Sequence, residues 1–337
     1  MSKNLEQKCA FARKTSIGGQ ALLEGIMMVG PKKSAMAVRN PEGQIVLEEW
    51  ENKQPKNPKL RKIPVLRGVL NFITTMKLGY KALMRSAEIA MPEEMEEEKK
   101  SKKKKDGKED KGDSVLMGVV MTIASVLGVA LSVGLFIMLP TFIFEWCSKI
   151  MPFLKPNNAA LSSLVKSVFE GFLKIAILVA YMALVSLMKD IRRTFQYHGA
   201  EHKTIFCYEN GLDLTVENVR KQGRFHPRCG TSFLIIMMVV GIFISFFIDP
   251  LFIALTGAVP HVALRAVLKL LLLPLMMGVG YELIKFAGRH QNAFTRFISA
   301  PGLWMQRITV LEPDDSMIEC AIEAFVKVIP EDESDKI

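Results

Sequence analysis

Residues 114–144 read SVLMGVVMTIASVLGVALSVGLFIMLPTFIF, without one charged side chain. About 20 apolar residues suffice to cross a bilayer as a helix. This run is longer than that, so it sets the fold class: a mainly α-helical membrane protein. Three more apolar segments follow, at 171–188, 230–248 and 262–281. The third is clean and ends at Asp249-Pro250. The second is short. The fourth carries Arg265 and Lys269 near its start, so both are marginal by length. The expectation is about four transmembrane helices.

Composition agrees with that class. Of 337 residues, 50% are hydrophobic and 23% charged, with mean hydropathy +0.22. The two kinds are therefore segregated along the chain. The formal charge of +10 comes largely from the run 99–111 and from basic residues beside apolar segments. No nucleic-acid recognition motif accompanies it, so no nucleic-acid partner is expected. The expected partners are the lipid bilayer and a membrane protein or a second copy of the chain. The five cysteines are odd in number and scattered, which fits a reducing compartment rather than a disulfide framework. Residues 1–20 lack a signal-peptide core.

Outward from the apolar segments, the divisions are as follows. Residues 1–62 form an N-terminal cytoplasmic α/β unit, mostly extended over 16–51. It opens with SIGGQALLEGIMMVGP, where Gly18, Gly19 and Gly25 read as turn glycines rather than a phosphate loop. A hairpin is expected around 41–43. Residues 63–90 form an amphipathic helix with basic residues interleaved, placed at the membrane interface. Residues 91–113 are an acidic-then-basic linker, too polar to fold. Residues 114–188 hold transmembrane helices one and two, and 230–285 hold three and four. Between them, 189–229 is a cytoplasmic loop. Residues 286–337 are a cytoplasmic C-terminal segment, with a docking turn near Pro301 and a final helix starting near Pro313-Asp314-Asp315.

Flanking charge sets the topology. The Lys-rich linker, Lys189, Arg192 and Arg193, and Lys285, Arg289 and Arg296 would lie inside a bacterial cytoplasmic membrane. Both termini are then cytoplasmic, and so is the loop 189–229.

That loop carries the chemistry. His198, Glu201 and His202 stand in HGAEH, the order of ligands and base in inverted zinc peptidases. Helical spacing puts both histidines on one face, with Glu201 beside it. His226 and Cys229 follow in HPRCG, so three of the five histidines fall in one window. His198, His202, His226 and Cys229 are the candidate metal ligands, for a divalent ion of the zinc type. All four ligating would close the site. Three would leave a position for water, with Glu201 as the general base. Glu282 is read as a salt-bridge partner of Lys285, with a third-ligand role as the rival. Glu209 is read as a solvated loop acid. Gln20 and Glu24 are placed near the site without independent support.

The strings GGQALLEGIMMVGP, PVLRGVLNF, YHGAEHKTIFCYENG, RFHPRCGTSF, GYELIKFAG and APGLWMQRITVLEPDDSMIECAI together resemble the YqhQ-like bacterial membrane proteins, a family catalogued as "predicted metal-dependent enzyme". The resemblance implies a bacterial multi-pass membrane protein. It also implies metal binding at His198, His202, His226 and Cys229. The expected function is metal-dependent hydrolysis at the cytoplasmic membrane face. The alternative is a membrane scaffold or assembly factor with a structural zinc site.

Overall fold

The computed structural model describes residues 14–52, 59–92, 123, 126–128, 130–257, 262–290 and 292–336. The expected linker 91–113 lies almost wholly outside them.

Four strands open the fold: β1 (Gly18–Leu22), β2 (Gly25–Val29), β3 (Lys33–Arg39) and β4 (Ile45–Glu51). They pair in order as an antiparallel meander. The expected hairpin joins β3 to β4 through Pro41–Gly43, where Gly43 has φ +83°. The other glycines are not turn residues. Gly18 and Gly19 lie within β1 and Gly25 within β2, and the first turn is Leu23–Glu24. The helices are α1 (Leu66–Ala90), α2 (Val126–Ile150), α3 (Ala159–Val185), α4 (Lys189–Glu209) and α5 (Val216–Arg220). There follow α6 (Gly230–Thr256), α7 (Val262–Leu271), α8 (Leu273–Arg289), α9 (Ala293–Thr309) and α10 (Asp315–Val326).

Strand side chains alternate between faces, and here both faces are covered. Ile26, Met28, Ala35 and Ala37 pack on one side against Tyr197 and Ala200 of α4 and Met317, Ala321 and Phe325 of α10. Met27, Met36 and Val38 pack on the other side against Leu78 and Ala82 of α1. Covering both faces explains why β2 and β3 read as unbroken apolar strings. The chain ends close this unit. Ser16 N–H donates to the Asp335 carbonyl at 2.6 Å, and the Thr15 hydroxyl donates to Asp335 Oδ2 at 2.7 Å.

The amphipathic character expected of α1 is present. Its buried face covers the sheet, while Ile73, Met76, Tyr80 and Met84 form an exposed apolar stripe. Its first turns dock on α8. There Arg67 Nε donates to Glu282 Oε1 at 2.6 Å, and Asn71 Nδ2 to the Tyr281 hydroxyl at 2.9 Å.

Three helices among the described residues are long and apolar enough to cross a membrane: Val126–Ile150, Leu161–Val185 and Phe233–Thr256. Within the first, Gly134–Met138 form one widened helical turn. Glu170 sits in the second between Lys166 and Lys174, each 3.9 Å away. The fourth expected segment is not one helix. It divides at Leu272 into α7 and α8, with Pro274 in the first turn of α8. Proline has no N–H to continue the ladder and its ring crowds the preceding turn.

Between α3 and α4 the helix also breaks, at Ser186–Met188. α4 carries HGAEH, and the short α5 that follows is capped by the Thr215 side chain accepting from Asn218 N–H.

Candidate metal centre

The His-x-x-Glu-His string lies in the buried half of α4. His202 and Glu201 are buried, and His198 is half-buried. The loop 223–229 crosses this face and ends in Cys229 at the mouth of α6. One donor atom each from His198, His202 and Cys229 falls within 4.8 Å of the others. His198 Nε2 and Cys229 Sγ are 3.2 Å apart, and the two imidazole centroids are 4.5 Å apart.

The outer nitrogens fix what these rings can do. His198 Nδ1 lies 3.0 Å from the Thr309 carbonyl, and His202 Nδ1 lies 2.6 Å from the Arg224 carbonyl. A carbonyl can only accept, so both Nδ1 atoms carry the proton. Both Nε2 lone pairs therefore face Cys229. One thiol proton can satisfy only one of them. A cation with a thiolate satisfies all three donors at once, and backbone-anchored imidazoles are the usual outer support of a metal site. The donor set thus fits a divalent ion of the zinc class, with two imidazoles and a thiolate as ligands. Burial holds the His202 pKa below its ordinary value, which keeps the ring in the neutral, ligating form.

A close chain crossing supplies the Thr309 anchor. Leu311 N–H donates to the Phe195 carbonyl at 2.9 Å. At Gly199 a Cβ would meet the Leu311 carbonyl oxygen at 1.9 Å. Only glycine lets the segment leaving α9 press onto α4 here, one residue from His198.

Glu201 packs against β1 beside the trio. A Cβ on Gly19 would stand 3.0 Å from the Glu201 carboxyl carbon, and the Gly19 backbone hydrogen-bonds to that carboxylate. Burial pushes the Glu201 pKa up to about 7, with Cys229 adding to the rise and His198 and Gly19 opposing it.

His226 stands apart from the trio. Its ring centroid is 5.7 Å from that of His202, and its Nε2 faces Glu209 Oε2 at 3.5 Å. Gln306 pins its backbone with two hydrogen bonds of 2.8 Å each. Glu209 is not a solvated loop acid. It is fully buried, accepts from Thr15 N–H at 2.9 Å, and pairs with Arg228. Burial raises its pKa, but the His226 hydrogen bond and the Arg228 charge outweigh this and hold it below the usual carboxylate range.

Glu282 is far from a ligand role. It pairs with Arg67, tying α8 to α1, and the Lys285 charge acts on the same carboxylate. Glu24 pairs with Arg193 at the sheet's first turn, and Gln20 packs on Gly79 of α1. His261 lies outside the described residues. Sequence reasoning missed Thr309, Gln306 and Gly19. The first two lie on a helix that had been read as a turn because of Pro301, which the structure places inside α9.

The fold and site define a mostly helical protein with three bilayer-length apolar helices, an N-terminal four-stranded sheet and a buried His-His-Cys group. The chain belongs to the family described as protein of unknown function (DUF1385), which it matches over residues 63–331. It is 33% identical over 318 residues to the uncharacterized protein YqhQ of Bacillus subtilis (strain 168), covering 93% of this chain and 92% of that one. No solved structure matches it.

Proposed function

We propose that this chain is a metal-dependent hydrolase of the bacterial cytoplasmic membrane, acting at the cytoplasmic face on a peptide or lipid-linked substrate. The observation that carries the reading is the convergence of both histidine Nε2 lone pairs on Cys229, with Glu201 buried beside them. Three protein ligands, with His226 turned to Glu209, is the arrangement that leaves room for a reactant.

His198, His202 and Cys229 would hold the ion, which supplies Lewis acidity to a carbonyl or phosphoryl oxygen. The Thr309 and Arg224 carbonyls orient the two imidazoles. Glu201, with its pKa near neutrality, takes the proton of the attacking water and returns it to the leaving group. β1 covers its carboxyl, which is buried.

The membrane placement rests on the three apolar helices and on the closed path of the chain. The sheet, α4, the end of α9 and α10 form one unit, so each excursion from it must return. If α2 leaves, α3 comes back. If α6 leaves, the broken α7–α8 pair comes back and serves as the fourth crossing. The basic flanks support a cytoplasmic side for the shared unit and for both termini.

The test combines metal content and chemistry. Full-length protein purified without added metal should carry one transition-metal ion by elemental analysis, lost in His202→Ala and kept in Glu201→Gln. Lipid and peptide profiles of cells with Glu201→Gln should match those of cells lacking the gene. A metal-free wild-type protein sinks the metal reading. Metal retained, with wild-type profiles in Glu201→Gln, sinks hydrolysis and leaves a structural clamp.

A further inference from the structure

α9 is inside out for a helix on a water-soluble surface. Such a helix turns its apolar residues to the core and its polar ones outward. The buried side of α9 carries Thr295, Ser299, Gln306 and Thr309. Phe294, Phe297 and Trp304 face outward instead, 58%, 78% and 49% exposed. Helical spacing puts these three aromatics on one side, opposite Ser299 and Gln306. Arg296 and Arg307, both exposed, follow one flank of that side three turns apart. Phe286, at the end of α8, continues the patch, its ring 6.4 Å from that of Phe294.

The fold also fixes the height of this helix. In the first half of α9, Thr295 and Ser299 share a cleft wall with Pro227 and Arg228. In its last turns, Gln306 holds the His226 backbone through two hydrogen bonds of 2.8 Å each. Both halves thus sit beside one loop, so α9 runs across the mouth of α6 rather than along it. The bilayer-length part of α6 starts at Phe233. From Cys229 to Phe233 is about 6 Å of helical rise. The outward side of α9 is therefore close to the level at which α6 becomes apolar.

We infer that α9 is a surface-lying helix whose aromatic side sits at the boundary between lipid headgroups and acyl chains, with its arginine flank among the headgroups. Aromatic residues with basic neighbours hold a helix at that boundary. The inward face carries Gln306, which holds the His226 loop, and the Thr309 carbonyl, which anchors His198. α9 thereby mounts the His-His-Cys group on the bilayer surface. The lipid contact stands on α9 and the loop it crosses. That this mounting brings membrane-borne substrate within reach of the centre rests on the hydrolase reading above.

The experiment uses native fluorescence. Trp50→Phe and Trp146→Phe leave Trp304 as the one tryptophan of the full-length chain. The protein is reconstituted into phosphatidylcholine–phosphatidylglycerol vesicles, with bromine on the phosphatidylcholine chains either near the headgroup or near the tail end. Wild-type elution in gel filtration qualifies each variant. Trp304 emission should be lost most with the shallow bromine and less with the deep one. Iodide on both sides of the membrane should quench it far less than in the unfolded chain. Phe297→Trp with Trp304→Phe moves the probe two turns, about 10 Å of rise, and should give the same depth profile. Iodide access without bromine quenching puts α9 in water and overturns the inference. Shielding from both quenchers overturns it too, because a protein partner or a second copy then covers the face. Stronger quenching by the deep bromine, or unequal depths at the two positions, overturns the surface-lying placement. The readout needs neither metal nor turnover, so a metal-free protein with shallow Trp304 keeps α9 on the bilayer and sinks only the metal reading.

Discussion

A methyl group on Gly19 would stand 3.0 Å from the carboxyl carbon of Glu201 and 2.7 Å from the Met27 carbonyl oxygen. The second contact is to backbone inside the sheet and cannot give way cheaply. Gly19→Ala should therefore shift β1 and with it the Glu201 carboxylate, while leaving the ligand trio intact. Metal content by elemental analysis should stay at the wild-type value, and the lipid or peptide changes seen in Glu201→Gln cells should reappear. A variant with wild-type profiles would separate Glu201 from β1.

Ligand substitutions should divide sharply. His198→Ala, His202→Ala and Cys229→Ser should each lose the ion, since each removes one of three donors. His226→Ala should keep it, because that ring faces Glu209. Elemental analysis of the four purified variants checks this. Loss of metal in His226→Ala would restore a four-ligand, closed site.

Thiol reactivity gives an independent readout. Burial, with Asp213 adding to it, pushes the Cys207 thiol up to about 11. Cys320 is likewise raised to about 11, by burial first, with Glu319 and Glu24 adding and Arg39 opposing. Thiolate is the reactive form, so both should resist maleimide in the folded protein. Cys229 should be protected for a different reason, by ligation, and should become the fastest of the three after chelation. Mass spectrometry of labelled peptides with and without chelator decides it.

Glu201 should give the metal-free protein a signed pH dependence. Its folded pKa of about 7 lies above the ordinary 4.5, so the folded state binds the extra proton between these values. The associated stability is complete below about pH 4.5 and is lost as pH rises through 7. Denaturant midpoints of metal-free wild type should fall relative to Glu201→Gln over that window. Parallel curves would contradict the buried placement of the carboxyl.

The Glu209–Arg228 pair is a structural requirement. Removing one partner of a buried ion pair costs roughly 3–5 kcal/mol, because the other charge stays buried. Arg228→Ala should therefore destabilise the unit built on the sheet, α4 and α10 by about that much in chemical denaturation. It should also release the Thr15 segment to limited proteolysis.

Much of this was legible from local patterns. The apolar segments, the 41–43 hairpin, the Asp314-capped last helix and the 198–202 face all depend on neighbours in sequence. The rest depends on which distant segments meet. Glu209 looked solvated because Arg228 and Thr15 are its partners only in the fold. Pro301 looked like part of a docking turn, yet it sits within α9, and so Gln306 and Thr309 were lost from view. The fourth segment was hydrophobic enough to read as a span, but Pro274 restarts the helix. His226 matched the trio in type and spacing, and only the position of Glu209 assigns it elsewhere.

The Thr309 carbonyl that anchors His198 is reached after every apolar helix has been made, and the unit is fastened by Asp335 at the far end. During synthesis all three bilayer-length apolar helices are made while HGAEH still lacks its outer anchor. A stop codon just after residue 300 would leave the three bilayer-length helices intact and yet remove the carbonyl that orients His198.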